Sequence, residues 1–368
     1  MRSSIVIGVE PSSLINFRGE LLKSMVAQDS IVTTISNTPT SVQTTDLKAL
    51  GVTSESVNFL RGKLSIVSDL KIFFELIKKY KIINPDIVLA YTIKPVIWGG
   101  LASRFFKIDF YALITGLGFA FHGGSFKRRL LTKLVVFLYK MALKNAKSVI
   151  FQNTDNRNVF VNKGIVKLSK TRVVNGSGVD TEKYNVRRLP DGSIRFLCIS
   201  RLLGEKGLRE YAAAARIVKN KFPNVGFDLI GSKDSSPDTI SLSEIDGWSD
   251  YINYKGSTND IRPYIEGSHV CVLPSYHEGL PRSLLEAMSM GRAILTTDAV
   301  GCKDTVSEGV NGFKVPVKSV GELANKMIWF IEHKGKIKLM GIEGRVLVED
   351  KFDVHKVNKQ MLKIMGIK

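Results

Sequence analysis

Cysteine, acid and long apolar runs are what this 368-residue chain has little of. Its three cysteines (Cys198, Cys271, Cys302) build no disulfide framework and show no metal-ligand spacing, so a reducing cytoplasm is the expected setting. No apolar run approaches the ~18 residues that suggest a membrane span. Met1-Arg2-Ser3-Ser4 passes directly into Ile5-Val6-Ile7-Gly8-Val9, which reads as a first strand rather than a signal peptide. The following loop lacks both the spaced glycines of a dinucleotide fingerprint and a Walker sequence. Acid falls well short of base: Lys+Arg total 53 against 34 Asp+Glu, for a net charge of +19. The surplus is lopsided, because residues 1–190 hold 28 basic against 12 acidic side chains and the remainder 25 against 22. A basic half fits nucleic acid, a polyanionic substrate or an anionic membrane surface, and the total does not choose among them.

What is present points to two α/β domains of ordinary size, since strand and helix signals alternate throughout. The most informative stretch runs from Leu273 to Pro316. His269-Val270-Cys271-Val272-Leu273 reads as a buried strand, broken by Pro274-Ser275-Tyr276-His277-Glu278-Gly279-Leu280. Pro281 stands at a first helical position, Leu284, Leu285 and Met288 make the apolar side, and Gly291 ends the helix. A strand, a glycine-containing loop and a helix N-terminus present backbone N–H groups to an anion. Glu278 and Glu286, eight residues apart, bracket the turn, so both can reach along one side of a ligand.

Glu278-Gly279-Leu280-Pro281-Arg282-Ser283-Leu284-Leu285-Glu286 resembles the signature of the family-four retaining glycosyltransferases, whose GT-B fold has two Rossmann-like domains facing each other across a cleft. The resemblance implies that Glu278 holds the hydroxyls of a donor sugar and Glu286 the ribose of its nucleotide. In the C-terminal half, Arg201 and Lys206 flank another strand-to-helix turn, five residues apart, and can place two cations on one diphosphate. The similar Arg and Lys of the family do this. Gly231 and Gly256 mark the two strand ends whose loops hold the base in relatives, and Gly301 to Asp304 is expected to turn backbone N–H groups toward the sugar. Gly279 and Leu280 complete the expected donor set.

In the N-terminal half the readings concern ligand edges of an open parallel sheet. Glu10 to Gly19 reads as a loop before a helix near Glu20, making Asn16 and Arg18 ligand candidates, although the adjacent glycines of many relatives are missing there. Thr92 and Lys94 lie at the next edge. Thr115 and Gly116 open a glycine-rich stretch that contains His122, a further substrate-contact candidate. These pieces are similar to those of bacterial N-acetylgalactosaminyltransferases that act on undecaprenyl-diphosphate-linked sugars.

Ser125 to Lys147 contains seven basic residues and no acid. At ~100° per residue, Leu130, Leu131, Leu134, Val135, Phe137, Leu138, Met141 and Ala142 occupy one side, and Arg129, Lys133, Lys140, Lys144 and Lys147 a stripe opposite. This suits a helix resting on an anionic membrane surface.

The expected protein is therefore a metal-independent, retaining hexosyltransferase without cofactor. It would move a hexose or N-acetylhexosamine (GalNAc, GlcNAc or Gal) from a UDP-sugar to a lipid-linked diphosphate saccharide, in O-antigen or other polysaccharide assembly. No Asp-x-Asp occurs, so no divalent cation is expected. The location is cytoplasmic, peripheral on the inner face of the cytoplasmic membrane. The expected domains are an acceptor-binding, membrane-docking one at 1–185, a nucleotide-sugar-binding one at 186–350, and a helix at 351–368 crossing back to the first. Two rivals remain: a GT-B-fold sugar-nucleotide 2-epimerase, and a polyanion- or nucleic-acid-binding module. Nucleic acid is not an expected partner, because no binding motif or interleaving of aromatic and basic residues occurs.

Overall fold

The computed structural model describes residues 2–28, 30–59, 66–117, 126–234, 236 and 238–367. They form two compact units, one made of Met1–Ser177 with His355–Lys368 and the other of Gly178–Val354.

The first unit contains β1 (Arg2–Ile7), α1 (Pro11–Val26), β2 (Ser30–Ser36), α2 (Ser41–Ala49), β3 (Thr53–Ser56), α3 (Ile66–Ile83), β4 (Ile87–Tyr91), α4 (Ile93–Phe106), β5 (Asp109–Ile114), α5 (Phe126–Leu143), β6 (Ser148–Phe151), α6 (Thr154–Asn162) and β7 (Thr171–Val173). Among the described residues the sheet has seven parallel strands in the order β3-β2-β1-β4-β5-β6-β7. Successive strand residues face opposite sides, so Ile5 and Ile7 join the core beneath α3, α4 and α5, while Val6 joins Leu14, Leu21 and Leu22 of α1. Covering both faces is what makes strands such as Ile87–Tyr91 uniformly apolar and buried.

The second unit contains β8 (Arg195–Ile199), α7 (Leu208–Lys221), β9 (Gly226–Ile230), α8 (Leu242–Asp246), β10 (Asn253–Tyr254), α9 (Arg262–Glu266), β11 (Val270–Leu273), α10 (Arg282–Ser289), β12 (Ala293–Thr297), β13 (Gly312–Val315), α11 (Val320–Glu332) and α12 (Lys334–Leu347). Among the described residues its sheet has six strands, also parallel, in the order β10-β9-β8-β11-β12-β13. The strand order reverses between β8 and β11, the place where open α/β sheets bind ligands. The chain ends in α13 (Val354–Met365), whose Met361 and Met365 enter the core of the first unit. No helix among the described residues is long and apolar enough to cross a membrane.

Two boundaries differ from expectation. The chain changes unit after Ser177, not after 185, and returns after Val354, not after 350. Long-range pairing explains this: Val179 N–H donates to Phe352 O at 2.9 Å, Val354 N–H donates to Val179 O at 3.0 Å, and Thr181 Oγ1 donates to Asp353 at 2.9 Å. Gly178, at φ +69°, passes so close to Val354 that a Cβ would lie 2.6 Å from its Cα. The other correction is at the N-terminus. Glu10 to Gly19 is not a loop, because the helix begins at Pro11, whose missing N–H costs nothing in the first turn.

A buried histidine gives the second unit an acid sensitivity. His269, just before β11, is 1% exposed and its Nδ1 accepts the Arg195 N–H at 3.1 Å. Burial, reinforced by the Lys334 cation, lowers its pKa from 6.5 to about 4. As pH falls below ~6.5 the unfolded chain takes up the proton first, so stability declines until about pH 4, by at most ~3 kcal/mol. Urea-unfolding midpoints for His269→Gln are expected to fall less over this range than those of the parent; parallel curves would refute the assignment.

Candidate active site

The site assembles at the carboxyl ends of β8 and β11 in the second unit. After β8 the chain passes Arg201 and a single 3-10 turn, Gly204–Lys206, before Gly207 opens α7 with φ +69°. A Cβ at Gly207 would lie 2.0 Å from the Pro274 carbonyl oxygen, so glycine lets this turn touch the loop after β11. Hydrogen bonds join the two loops: Tyr276 N–H donates to Glu205 O at 2.9 Å and Ser275 Oγ donates to the same oxygen at 3.3 Å.

This contact brings two predicted residues together. Lys206 Nζ donates to Glu278 Oε1 at 2.7 Å, with the side chains only 11% and 18% exposed. Glu278 is fixed through its backbone as well, its N–H donating to Val300 O at 2.9 Å. Gly301 packs directly on the Glu278-Gly279 peptide, while Leu280 is partly buried against the apolar cluster to which Leu284 and Leu285 belong. α10 begins at Arg282, one residue after Pro281, without a side-chain cap. Gly291 (φ +80°) follows the helix, donating to Met288 O at 2.9 Å, as its sequence position predicts.

Arg201 is half-exposed and forms an ion pair with Asp234 from the loop after β9. The approach of that loop depends on Gly231, where a Cβ would meet the Ser200 carbonyl oxygen at 1.8 Å. Gly231 N–H donates to Gly256 O at 2.9 Å, which ties the two predicted base-side strand ends together. Glu286 is 7% exposed and ion-paired with Arg282 Nε at 2.9 Å. Burial raises its pKa against the opposing influence of Arg282 and a Tyr184 hydrogen bond. Two cations and two carboxylates thus belong to one sheet edge, and both cations are already paired with acid.

The N-terminal candidates are less uniform. Arg18 lies on α1, buried, with its guanidinium 5.3 Å from the centre of the Tyr91 ring; Asn16 is on the same helix but exposed. Thr92 caps α4 at φ +68°, a strained conformation for a β-branched residue. Lys94 pairs with Asp69 at 2.7 Å. Thr115 and Gly116 follow β5 half-buried, with open space where a Gly116 Cβ would stand. His122 lies outside the described residues.

The apolar arc of α5 is only partly covered. Val135, Tyr139, Ala142 and Leu143 are buried, but Leu130, Leu134, Phe137 and Met141 face solvent. Arg129, Lys133 and Lys140 are on the helix, whereas Lys144 and Lys147 lie beyond its end, and Lys147 pairs with Asp109 at 3.3 Å.

Residues 193–333 match the model of the glycosyl transferases group 1 family, and residues 18–153 that of the glycosyl transferase 4-like family. The chain is 30% identical over 346 residues, 89% of each protein, to the N,N'-diacetylbacillosaminyl-diphospho-undecaprenol alpha-1,3-N-acetylgalactosaminyltransferase of Campylobacter jejuni. It belongs to the family-four glycosyltransferases. A second relative of this glycosyltransferase is the UDP-Gal:alpha-D-GlcNAc-diphosphoundecaprenol alpha-1,3-galactosyltransferase of Escherichia coli, 26% identical over 74% of the chain and 73% of the relative. Among solved structures, Anabaena Alr3699/HepE in complex with UDP-glucose shares the fold at TM-score 0.81 and 18% identity, with all of both chains covered. The two parallel-sheet α/β domains that the GT-B resemblance implies are therefore present.

Sequence reasoning missed the partners that hold the glycosyltransferase's site residues. Arg282 was legible, since it precedes Glu286 by one i,i+4 step. Asp234 was not, because its pairing with Arg201 depends on β8 and β9 being neighbours. Tyr184 gives no local signal at all.

Proposed function

We propose that this glycosyltransferase moves a hexose or N-acetylhexosamine (GalNAc, GlcNAc or Gal) from a UDP-sugar to a saccharide on a polyprenyl diphosphate, as a step in surface-polysaccharide or glycan assembly. The observation that carries the donor half is the Lys206–Glu278 pair beside the uncapped start of α10. The acceptor half rests on the activities in the names of the Campylobacter and Escherichia relatives.

The chemistry follows from charge. When the sugar–phosphate bond breaks, negative charge grows on the leaving diphosphate. Lys206 and Arg201 meet that charge by exchanging Glu278 and Asp234 for phosphate oxygens, aided by the amides around Gly279 and Leu280. Glu278, released from the lysine, orients the sugar hydroxyls, and Glu286 holds the ribose. Gly231 and Gly256 shape the base side, and Gly301 the sugar side. No side chain acts as nucleophile; the departing phosphate takes the acceptor proton, and the sugar leaves and arrives on one face, with retention. With fixed cations doing this work no metal is required. Asn16, Arg18, Thr92, Lys94, Thr115 and Gly116 serve the acceptor side, and the enzyme works as a peripheral protein on the inner face of the cytoplasmic membrane.

Incubation with a panel of UDP-sugars and short-chain polyprenyl-diphosphate saccharides is expected to give one product by mass spectrometry. EDTA leaves its rate unchanged, and NMR finds the donor's anomeric configuration kept. Turnover of free UDP-sugar without acceptor would instead identify a 2-epimerase. Salt-sensitive oligonucleotide binding without UDP binding would identify a polyanion module.

A further inference from the structure

Glu286 is held by more than its own helix. Arg282, one turn before it on α10, approaches at 2.9 Å, but an i,i+4 pair by itself constrains a side chain only weakly. A second hold comes from far earlier in the sequence, where the hydroxyl of Tyr184, a residue only 6% exposed, hydrogen-bonds the Glu286 carboxylate. Burial, and next the negative charge of Glu286, push the phenol's pKa up, so this hydroxyl keeps its proton and is the donor. Burial raises the pKa of Glu286 too. Arg282 and then the Tyr184 hydrogen bond oppose that rise and favour the ionised carboxylate.

Tyr184 is itself anchored through its backbone. Its N–H donates to Asp180 O at 3.0 Å, closing a turn in which Asp180 Oδ1 accepts the N–H groups of Glu182 at 3.0 Å and Lys183 at 2.9 Å. Its carbonyl oxygen accepts Ser289 Oγ–H at 2.6 Å, from the last residue of α10, and Arg345 Nη1–H at 3.1 Å, from α12. Arg345 Nη1 also reaches Thr181 O at 3.1 Å and Ser289 O at 2.8 Å, while its Nε pairs with Glu349 at 2.6 Å. Further along, Arg292 donates to Arg187 O at 2.7 Å and to Arg188 O at 3.1 Å. Connecting segments are ordinarily the mobile part of a fold. Segment 180–188 is instead stitched by two arginines to the helix that carries Glu286 and to its neighbours.

We propose that Tyr184 is a positioning residue for the nucleotide: its hydroxyl, set in place by Arg345 and Ser289, holds Glu286 in the orientation that accepts hydrogen bonds from the ribose hydroxyls, and so gives the site its preference for a ribonucleotide. This deepens the reading of Glu286 as the ribose holder and rests on it. A carboxylate that is to receive two neighbouring hydroxyls must be ionised and must keep one rotamer before the ligand arrives. A phenylalanine at 184 would fill the same space but leave the carboxylate's orientation to Arg282.

Calorimetric titration of the whole chain with UDP and with 2′,3′-dideoxy-UDP tests this. The parent is expected to bind UDP more tightly than the dideoxy analogue. Tyr184→Phe should weaken UDP about tenfold, the effect of one hydrogen bond to a charged group, and leave the dideoxy analogue within about twofold of the parent. Because the hydroxyl acts through Glu286, the double variant Tyr184→Phe/Glu286→Gln should bind UDP no more weakly than Glu286→Gln alone. Ser289→Ala, which removes one anchor of Tyr184 without touching the phenol, should show the same selective loss at smaller size, and it serves as the test if Tyr184→Phe does not fold. A parent that prefers UDP, with Tyr184→Phe weakening both nucleotides alike, would reduce the hydroxyl to a packing role and overturn the inference while leaving Glu286 on the ribose. Unchanged UDP binding in Tyr184→Phe, or additive losses in the double variant, would overturn it in the same way. A parent that binds the two nucleotides alike would remove the ribose from Glu286, and this inference with it.

Discussion

Lys206→Ala is expected to reduce turnover by about 10²–10³-fold, the usual consequence of removing one fixed charge from a site where charge develops. Isothermal titration should find UDP bound more weakly as well, since the same cation meets the ground-state diphosphate. The resting structure makes a second, sharper test available. Lys206 and Glu278 hold each other at 2.7 Å in a largely buried setting, so each single neutralisation takes the nearest counter-charge from a charged group that water barely reaches. Lys206→Met alone is expected to cost roughly 2–3 kcal/mol, less than a fully buried pair because some water reaches it. Lys206→Met/Glu278→Gln should recover most of that stability in urea unfolding, because two neutral groups need no counter-charge. Turnover should not recover. A double variant as active as the parent, or a Lys206→Ala enzyme near normal rate, removes the diphosphate role from this lysine.

That pairing changes how the site is to be understood. Arg201 and Lys206 do not wait as bare cations; Asp234 and Glu278 occupy them. Buried charge without a partner is costly, and Lys206, the more buried of the two cations, is held by Glu278. In the proposed reaction, exchanging carboxylate for phosphate would lower the affinity for UDP but would free Glu278 as the sugar arrives with hydroxyls to hold.

Legibility in the sequence followed locality. The strand, loop and helix from Val270 to Ser289 were readable because every signal sits within the segment: an apolar run, Pro281, apolar spacing at Leu284, Leu285 and Met288, and Gly291. Arg201 and Lys206 were readable for the same reason. The start of α1 was not, since Ser12, Ser13, Asn16 and Gly19 resemble loop chemistry, and only burial of Leu14, Leu21 and Leu22 against the sheet makes the segment helical. The unit boundary depended on Val179 finding Phe352 and Val354, residues far away in sequence. The outward half of α5 was hidden for a related reason. Periodicity identifies an apolar arc but not how much of it the core covers, and here Val135, Tyr139, Ala142 and Leu143 suffice to fill that core.

Gly301→Ala is expected to lower kcat/KM about 10²-fold while the protein stays folded. Gly301 adopts φ +79°, and a Cβ there would stand 2.4 Å from the Glu278 carbonyl oxygen and 2.6 Å from that of Gly279. Both neighbours are backbone, so no side chain can swing away. The loop carrying Glu278 must itself move, and a displacement of about 1 Å at reacting groups is worth about two orders of magnitude in rate. The left-handed conformation adds about 1–2 kcal/mol of strain for alanine, which lowers the unfolding midpoint as well. Gly309 separates these two effects. It has nearly the same φ, +73°, with nothing within 4 Å of its Cβ position. Gly309→Ala should therefore show a similar loss of stability and almost no loss of activity. Equal activity losses in the two variants would trace the effect to strain in general, and full activity in Gly301→Ala would mean that the position of the Glu278-Gly279 peptide does not govern the reaction.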